Sequence, residues 1–463
     1  MEASWIRKGH AFIMTTRTVK TIQTSQGTQD RLAEVESLTL RADEAGVENQ
    51  VINVYEDVEY QSIIGFGGAI TEASAVTASK LSEENSNRIL NAYYDAEEGI
   101  GYTICRTHIN SCDFALGNYT YVEDGDVELK TFDISHDREA IIPYIQKAKG
   151  LAGEDFTFYA SPWSPPAWMK TNGEMNHGGK LKPEYWDVWA RYYIKFIEAY
   201  EAEGLPLWGL TVQNEAKAVQ IWDSCIYTAE EERDFVRDHL GPELHKSGRQ
   251  DVKVMIWDHN KERVYDRAKV AYEDAVASKY IWGLGFHWYS GDHFDALSAV
   301  KHRYPNKGLM FTEGCHEGGV QIGSWKSGER YAHDIIGNLN NGMEGWTDWN
   351  IVLDEQGGPN HVGNYCDAPI IADTKSDSLT FQSSYYYIGH FSKYIRPGAI
   401  RIACSKYTEA LQTTAFKNPN GELVVVVLNR TDDGHPYVLR NNEQVAEGSI
   451  PAHSIQTLIF PSV

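Results

Sequence analysis

The 463-residue chain lacks several patterns that would indicate a function directly. It has no run of about 18 apolar residues, so a membrane-spanning helix is not expected. Its six cysteines form no CxxC pair, and no HExxH sequence occurs, which disfavours a zinc-binding motif. No GxSxG sequence occurs either, so a serine hydrolase built around a nucleophile elbow is disfavoured.

Positive charge is also scarce, because 42 lysines and arginines stand against 65 acidic residues, for a net charge of −23. Such a surface repels phosphate, so neither nucleic acid nor a stable association with an anionic membrane is expected. The unpaired cysteine pattern is typical of free thiols in a reducing compartment. Residues 1–18 contain no apolar run of signal-peptide length, so a cytoplasmic location is expected.

Metal chemistry has two weak candidates in the sequence. One is the pair His287 and His293 in HWYSGDH, and the other is the compact cluster Cys315-His316-Glu317. Neither has a spacing typical of zinc proteins, so these side chains are predicted to line a site or to pack. We therefore expect no metal and no other cofactor, and the oligomeric state stays open.

What the sequence does contain is a repeated pattern of apolar strand followed by helical segment. Nearly continuous apolar runs are typical of strands that are buried on both faces of a parallel sheet. Eight such strands alternating with helices predict an α/β fold, a (β/α)8 TIM barrel. The candidate strands are 61–70, 102–110, 155–163, 206–215, 251–259, 280–289, 308–315 and 342–353.

Two intervening segments have clear helical signals. Leu81 to Asp95 begins with Ser82 as a plausible N-cap, followed by acidic residues in the first turn. Residues 184–204 carry an aromatic and aliphatic stripe at spacings of three and four, which predicts a helix that faces the core. The stripe consists of Trp186, Trp189, Tyr193 and Ile197.

The two ends of the chain have a different pattern. Short strand-like stretches without helical period occur before residue 56, and Asn418-Pro-Asn-Gly is a strong hairpin turn between alternating strands near the other end. We therefore predict a side β-sandwich built from both chain ends. The expected bounds are 1–56 for its N-terminal strands, 57–394 for the barrel and 395–463 for its C-terminal part.

Two of the predicted strands end on a glutamate. LTVQNE ends at Glu215, and LMFTEG contains Glu313, 98 residues later. A typical barrel uses about 31 residues per unit, so this interval is about three units and places the glutamates on the fourth and seventh strands. Carboxyl ends of barrel strands carry the chemistry, and two carboxylates there suit a glycosidase. One would protonate the leaving oxygen, and the other would meet the charge developing at the anomeric carbon, at a separation of about 5–5.5 Å for a retaining mechanism.

Neighbouring residues favour this hypothesis over the alternative that each glutamate only pairs with a nearby cation. Asn214 offers an amide for a sugar 2-hydroxyl, and Arg106 and His287 can bias the ionisation of the carboxylates. A non-catalytic sugar-binding protein is the remaining alternative, but a binding protein has no need of two carboxylates in one site. Aromatic residues at other strand ends would supply apolar faces for a sugar ring: Trp163, Trp288, Tyr289, Trp346 and Trp349.

A series of longer motifs, in order from about residue 55 to the end, resembles glycoside hydrolase family 30, in particular its glucosylceramidase branch. The resemblance implies the same fold, a barrel with a side β-sandwich, and a retaining β-glycosidase. The matching motifs include GFGGAITEASA (65–75), SCDFALGNYTY (111–121), ASPWSPPAWMKTNG (160–173), LTVQNE (210–215), TEGC (312–315), GWTDWN (345–350) and DAPII (367–371).

The resemblance also implies a role for each matching residue. Glu215 would be the general acid/base, kept protonated partly by nearby negative charge, and Glu313 would be the nucleophile. The sugar in the −1 subsite would be held by Asp113, Trp163, Asn214 and Trp349. The nucleophile's side of the site or its rim would be formed by Arg106, His287, Tyr289 and Asn364.

The expected substrate is a carbohydrate or other glycoside, and an exo-acting enzyme that removes a terminal β-linked sugar ranks first. Cleavage of β-1,6-glucan, of β-xylosides or of β-fucosides are the alternatives within the family. An exo-enzyme needs a closed pocket around the terminal sugar, whereas an endo-enzyme needs an open cleft. The loops after Trp163 and Trp349 decide between these shapes, and the sequence does not specify their course.

Overall fold

The computed structural model describes residues 16–462. The first 15 residues of the predicted segment 1–56 and the last residue of 395–463 therefore lie outside the described residues. Two compact units are present, one formed by the chain up to Glu59 together with the chain from Ile402, and the other by Tyr60–Arg401. No helix within residues 16–462 combines the length and the apolar character needed to span a membrane.

The strands of the described chain follow in four groups. The first group is β1 (Arg17–Ser25), β2 (Ala33–Ala42) and β3 (Val51–Ser62). The second is β4 (Gly65–Ala69), β5 (Ile104–Ile109), β6 (Thr157–Pro162), β7 (Gly209–Thr211), β8 (Lys253–Asn260), β9 (Ile281–His287), β10 (Gly308–Glu313) and β11 (Gly345–Asn350). The third is β12 (Val352–Asp354), β13 (Ile370–Asp373) and β14 (Ser378–Phe381). The fourth is β15 (Ile400–Ser405), β16 (Leu411–Lys417), β17 (Glu422–Asn429), β18 (His435–Asn441), β19 (Gln444–Ile450) and β20 (Ser454–Pro461).

The helices of the described chain all lie in the second unit. They are α1 (Glu72–Ser79), α2 (Glu83–Tyr94), α3 (Ser135–Glu139), α4 (Ile141–Ala152), α5 (Trp186–Ala202), α6 (Ala229–Phe235), α7 (Gly241–Lys246), α8 (Val264–Tyr272), α9 (Ala277–Tyr280), α10 (Phe294–Arg303), α11 (Trp325–Asn340) and α12 (Ser383–Ser392). A π-helical turn, Val236–Leu240, joins α6 to α7.

The predicted barrel is confirmed. β4 to β11 pair in chain order, β11 returns to β4, and each neighbouring pair is parallel. β10, the seventh strand of the barrel, ends on Glu313, and Glu215 follows the fourth strand, β7. Both glutamates therefore belong to the carboxyl end of the barrel, where catalytic loops gather in this fold.

Close packing of the barrel strands depends on glycine at one position in particular. A Cβ added at Gly67 in β4 would lie 1.9 Å from the carbonyl oxygen of Ile104 in β5. Because this neighbour is backbone, no side-chain movement could relieve the clash. The close approach of two strands thus explains the glycine at position 67 of GFGGAI.

The two helices expected from the sequence are present with slightly shorter bounds. The hydroxyl of Ser82 accepts a hydrogen bond from the backbone amide of Asn85, which makes it the N-cap of α2. A 3-10 turn over Pro183–Tyr185 precedes α5, in which Trp189, Tyr193 and Ile197 are fully buried. These three residues face the core, as predicted, whereas Trp186, the first residue of the stripe, is half-buried.

The first unit is a β-sandwich whose strands pair in the order β1-β2-β19-β18-β3-β15-β16-β17-β20, with β20 returning to β1. Strands β15 and β19 were not predicted. Gly448 in β19 has no side chain to signal a strand, and a Cβ there would lie 2.7 Å from the ring of Tyr437. An apolar cluster forms the centre of the sandwich: Val19, Leu40, Ile52, Val54, Ile402, Leu411, Ala415, Leu423, Val425, Val427, Tyr437, Leu439, Ala446, Ile450, Leu458 and Phe460.

Candidate active site

A fully buried arginine connects the strand ends at the centre of the barrel. Arg106 in β5 donates from Nη1 to Glu313 Oε2 at 2.7 Å, and from Nη2 to Asn214 Oδ1 at 2.8 Å and Asp258 Oδ2 at 3.0 Å. Burial disfavours the charged form, but Asp258 and Glu313 outweigh it, so the pKa of Arg106 lies above its ordinary value. A buried charge is tolerable only with such partners. Through them, Arg106 connects its own strand, β5, to the carboxyl ends of β7, β8 and β10.

Glu313 is held from both sides of its carboxyl group. Arg106 contacts Oε2, and the hydroxyl of Tyr289 donates to Oε1 at 3.0 Å. The side chain is almost completely buried, and its remaining surface faces a cavity. Two fixed donors orient this carboxylate and oppose its charge, which suits a nucleophile that must meet the substrate in one geometry.

Glu215 sits on strained backbone. Its φ is +51°, and its amide donates to the carbonyl oxygen of Asp258 at 2.8 Å. Asp258 and Trp257 also have positive φ values, +46° and +72°, where the pairing of β8 with β9 shifts register. Non-glycine residues adopt this conformation at a cost and are found where function requires it.

Two histidines face the carboxyl group of Glu215. Its Oε1 lies 3.4 Å from His259 Nδ1 and 3.5 Å from His287 Nδ1, while His287 Nε2 lies 2.9 Å from Asp258 Oδ1. Burial acts against the charge of His287, but Glu313, Asp258 and Glu215 outweigh it and raise the pKa of His287 to about 9.

The same contacts act on Glu215. Burial alone would raise the pKa of Glu215, but His259 and His287 overcome this effect and hold it well below its usual value. The expectation that neighbouring negative charge keeps Glu215 protonated is therefore wrong, because the histidines favour its ionised carboxylate. His287, whose pKa is raised, lies 3.5 Å from that carboxylate and can supply a proton to it.

His287 also fixes how far apart the two glutamates can be. Its Nδ1 lies 3.5 Å from Glu215 Oε1 and 4.0 Å from Glu313 Oε1, and the sum of these distances limits the separation of the two oxygens to 7.5 Å. The predicted meeting of residues 215 and 313 is therefore found, at a separation that one glycosidic bond can bridge.

Both glutamates open into a cavity of about 140 Å³. Two of its walls are Trp163 and Trp349, whose rings stack at 5.1 Å with an interplanar angle of 17°. The guanidinium of Arg106 lies 4.8 Å and 5.4 Å from the two ring centres. Stacked aromatic faces next to carboxylates are suited to the apolar face of a sugar ring and its hydroxyl groups.

The residues predicted from the sequence fall into two groups, those that line the cavity and those that lie beneath it. The cavity is lined by Asp113, Trp163, Asn214, Glu215, Tyr289, Glu313, Trp349 and Asn364, whereas Arg106 and His287 lie beneath it in contact with the carboxylates. Asn364 does not contact the nucleophile, because its Nδ2 donates to Asp113 Oδ2 at 3.2 Å. Burial, followed by the charge of Glu313, raises the pKa of Asp113 well above its ordinary value.

Two aromatic residues expected to contact the sugar are part of the core instead. Trp288 packs against Tyr331 at 4.7 Å, and Trp346 stacks on Phe311 at 5.7 Å. Both are almost completely buried, and neither lines the cavity. The proposal that they face a sugar ring is wrong, because proximity to a strand end does not specify whether a side chain points to the cavity or into the packing between strand and helix.

Comparison with known proteins agrees with this architecture. Residues 63–395 match the glycosyl hydrolase family 30 TIM-barrel domain, and residues 398–458 match the family 30 beta sandwich domain. The chain belongs to glycoside hydrolase family 30. Enzymes of this family hydrolyse O-glycosyl bonds with retention of configuration, so the chain is a retaining glycoside hydrolase with a glycoside substrate.

Several family 30 relatives are similar over most of the chain. The lysosomal acid glucosylceramidase of Mus musculus is 37% identical over 435 residues, which cover 89% of this chain and 83% of the relative. The crystal structure of SrfJ from Salmonella typhimurium has a TM-score of 0.93 at 37% identity and covers 97% of this chain and 100% of its own. A solved endo-β1,6-glucanase has a TM-score of 0.85 at 27% identity, covering 96% of this chain and 99% of its own.

Sequence reasoning missed several residues of this family 30 site, and two of them contact its charged groups directly. Asp258 is fully buried and bonds Arg106 and His287, and His259 contacts Glu215 at the edge of the cavity. Both stand at the polar end of the predicted strand 251–259, and this is the signal that identified Glu215 and Glu313. Applying the strand-end rule to every barrel strand would have found them.

Proposed function

We propose that the protein is an exo-acting β-glycosidase in which Glu313 is the nucleophile and Glu215 is the general acid/base. One observation carries the proposal. Both carboxylates contact His287 and open into the same aromatic-walled cavity, so a sugar held there would present its anomeric carbon and its leaving oxygen to them together.

The geometry supports a division of labour between the two carboxylates. Glu313, oriented by Arg106 and Tyr289, attacks the anomeric carbon and forms a covalent glycosyl-enzyme bond. Glu215 receives a proton from His287, its neighbour at 3.5 Å, and delivers it to the departing oxygen. In the second step Glu215 accepts a proton from water, which attacks the anomeric carbon and releases the sugar with its configuration retained.

For Asn214 we propose the role that its position before Glu215 suggested. Its Oδ1 accepts a hydrogen bond from Arg106, which orients the amide so that its Nδ2 remains for a substrate hydroxyl. Asn214 is largely buried and lines the cavity directly before Glu215. We propose that it donates to the sugar's 2-hydroxyl, a contact that strengthens in the transition state.

The size of the cavity favours exo-cleavage. Its volume of about 140 Å³ is well below the roughly 300–1,000 Å³ of a drug-sized ligand site, so it has room for one sugar ring. Asp113, held by the amides of Asn360 and Asn364, lines the cavity and offers its carboxyl group to the outer hydroxyls of that ring. The glucosylceramidases among the relatives make a β-glucoside the first substrate to test, with β-1,6-glucan, β-xyloside and β-fucoside as alternatives.

The test is hydrolysis of a panel of nitrophenyl β-glycosides (glucoside, xyloside, galactoside, fucoside) alongside linear β-1,6-glucan. We expect release of nitrophenol from the glucoside, and a 2-fluoro-glucoside should label Glu313, as mapped by peptide mass spectrometry. Oligosaccharide products from the glucan without nitrophenol release would favour an endo-glucanase. Binding of glycosides without turnover of any of them would favour a sugar-binding protein and contradict the proposal.

A further inference from the structure

We propose that Glu215, His259 and His287 bind a transition-metal ion of the Zn²⁺ class, and that the bound ion inhibits the enzyme. The three side chains come from the carboxyl ends of three adjacent strands, β7, β8 and β9. Their ligand atoms, one carboxylate oxygen and two imidazole nitrogens, all lie within 4.8 Å of one another. No motif in the sequence shows this set, because the three residues are separated by 44 and 28 positions.

The distances suit a tetrahedral ion. Zn²⁺ binds nitrogen and oxygen at about 2.0–2.2 Å, so two of its ligands are roughly 3.3 Å apart in tetrahedral geometry. Glu215 Oε1 lies 3.4 Å from His259 Nδ1 and 3.5 Å from His287 Nδ1. The two histidine nitrogens lie within 4.8 Å of each other, so the imidazoles would move together to complete the set, and the fourth position would be left for water.

The two imidazoles are prepared for a metal ligand role. Within residues 16–462, neither His259 Nδ1 nor His287 Nδ1 makes a hydrogen bond of good geometry, although both atoms are buried. His287 has no exposed surface, and its other nitrogen, Nε2, pairs with Asp258 Oδ1 at 2.9 Å. A carboxylate on the far nitrogen is the usual support of a metal-bound histidine, since it fixes the ring and increases its basicity.

The charge of the cavity also favours a cation. Four carboxyl side chains line it (Asp113, Glu215, Glu313 and Glu317), and among the described residues no lysine or arginine does. The buried Arg106 beneath the cavity is already shared between Asp258 and Glu313. A metal ion would therefore replace the proton of His287 beside the carboxyl groups of Glu215 and Glu313.

The donor chemistry limits which ions fit. Imidazole nitrogen suits Zn²⁺, Cu²⁺, Ni²⁺ and Co²⁺, whereas Mg²⁺ and Ca²⁺ prefer sites made of oxygen alone. A bound ion would occupy the oxygen of Glu215 that faces the histidines and would prevent proton transfer by this carboxyl group. The inhibitory effect rests on the proposed role of Glu215, but the binding of the ion does not.

Binding can be measured without reference to activity by titrating ZnCl₂ into the metal-free, full-length protein in a calorimeter. We expect one ion per chain, no heat from MgCl₂, and at least about 100-fold weaker binding in Glu215→Gln and His259→Asn. Asp258→Asn removes the support of His287 and should weaken binding about 10- to 100-fold. His302→Asn, which removes an exposed histidine of α10, should bind Zn²⁺ like the unmodified protein.

A spectroscopic measurement identifies the ligands and separates this site from the buried cysteines. Co²⁺ in the site should show the visible absorption of tetrahedral cobalt without a thiolate charge-transfer band, because no sulfur belongs to the set. Circular dichroism of each variant shows whether it is folded. Undiminished binding in a folded Glu215→Gln or His259→Asn protein, or a thiolate band, would overturn the proposal.

Kinetics then separate this inference from the proposed function. We expect Zn²⁺ to abolish hydrolysis of the nitrophenyl glucoside and EDTA to restore it, with His302→Asn inhibited at the same concentration. An active protein that shows neither Zn²⁺ binding nor inhibition contradicts the metal site alone. A protein that binds Zn²⁺ through these residues but hydrolyses no glycoside contradicts the proposed function alone.

Discussion

The buried side chains at the centre of the β-sandwich and those at the carboxyl end of the barrel differ in chemical type. The sandwich core is a continuous set of aliphatic and aromatic side chains around residues such as Leu439 and Val425. The barrel encloses Arg106, Asp258 and His287, each with no exposed surface. One interior stabilises the fold by burying apolar area, and the other holds charges that are costly to bury.

This difference predicts whether a substitution will change the stability or the chemistry of the protein. In the sandwich, any apolar set that fills the space supports the fold, so a truncation should change the free energy of unfolding and leave the chemistry alone. At the barrel centre each buried charge is stabilised by the partners around it. A substrate binds next to this arrangement, so a substitution there should change the chemistry. Four predictions test this contrast. Their expected effects are compared as free energies, from the largest to the smallest.

The largest effect is expected for Glu313→Gln. The amide keeps the size of the side chain and a hydrogen bond to Tyr289, but it cannot form the glycosyl-enzyme bond, so kcat should fall at least about 10⁴-fold, or more than about 5 kcal/mol. Initial rates on a nitrophenyl β-glucoside measure this, with Glu128→Gln, an exposed glutamate, as the control. A folded Glu313→Gln protein with a tenth of the original activity would exclude residue 313 as the nucleophile.

Glu215→Ala should follow, with an effect that depends on the leaving group. Loss of a general acid costs about 10²- to 10⁴-fold, or about 3–5 kcal/mol, for aglycones that need protonation. A dinitrophenyl aglycone leaves unaided, so its release should be much less affected. Rates across a series of aryl glucosides measure the dependence, and azide should yield a β-glycosyl azide. Equal losses for all leaving groups would argue for a structural role of Glu215.

Leu439→Ala tests the sandwich side of the comparison. Leu439 is fully buried in β18, and its truncation should cost about 2–5 kcal/mol of stability through lost burial and a residual cavity. Urea unfolding followed by circular dichroism measures this loss, while kcat of the folded protein should stay the same. Leu116→Ala, at a side chain that is 56% exposed, is the matched control and should lie within about 0.5 kcal/mol. A large fall in kcat without loss of stability would break the contrast.

Tyr289→Phe is expected to have the smallest effect of the four. It removes the hydroxyl that donates to Glu313, and a hydrogen bond to a charged group is worth about 1.5–3 kcal/mol, so kcat should fall about 10- to 100-fold. Tyr407→Phe removes a hydroxyl that donates to the carbonyl of Pro436 in the sandwich and should not change kcat. Similar kinetics for the two variants would show that Tyr289 does not orient the nucleophile.

The fold was predictable where local pattern and global architecture agree. All eight barrel strands were located, since burial on both faces makes each a visible apolar run. Seven of the eight were predicted to extend too far at the carboxyl end, as in β7, which ends at Thr211 although residues up to Glu215 were predicted. Those last residues leave the ladder to build the site, and hydrophobicity alone does not mark that departure. The strands of the inserted sheet, β12 to β14, are only three or four residues long, which is too short to show a strand period, and β15 and β19 were missed as well.

The candidate site was predictable as a set of strand-end residues but not as a set of contacts. Asn364 was expected on the nucleophile's side of the site or at its rim; it lines the cavity, and its amide bonds Asp113. Trp288 and Trp163 both stand next to strand ends, yet only Trp163 reaches the cavity. Asp258 and His259 were not predicted, because the strand 251–259 does not end on a glutamate as the two catalytic candidates do.

By itself, the sequence determined that this protein is a barrel with a β-sandwich and that two glutamates stand at the ends of its fourth and seventh strands, because strand periodicity is a local property of the chain. Only the tertiary structure decided which side chains surround those glutamates and how they affect the ionisation of the two carboxyl groups. His287 lies between them and His259 faces Glu215 because strands far apart in sequence converge at one end of the barrel. Charge interactions depend on distance in space, and that distance exists only once the barrel has closed.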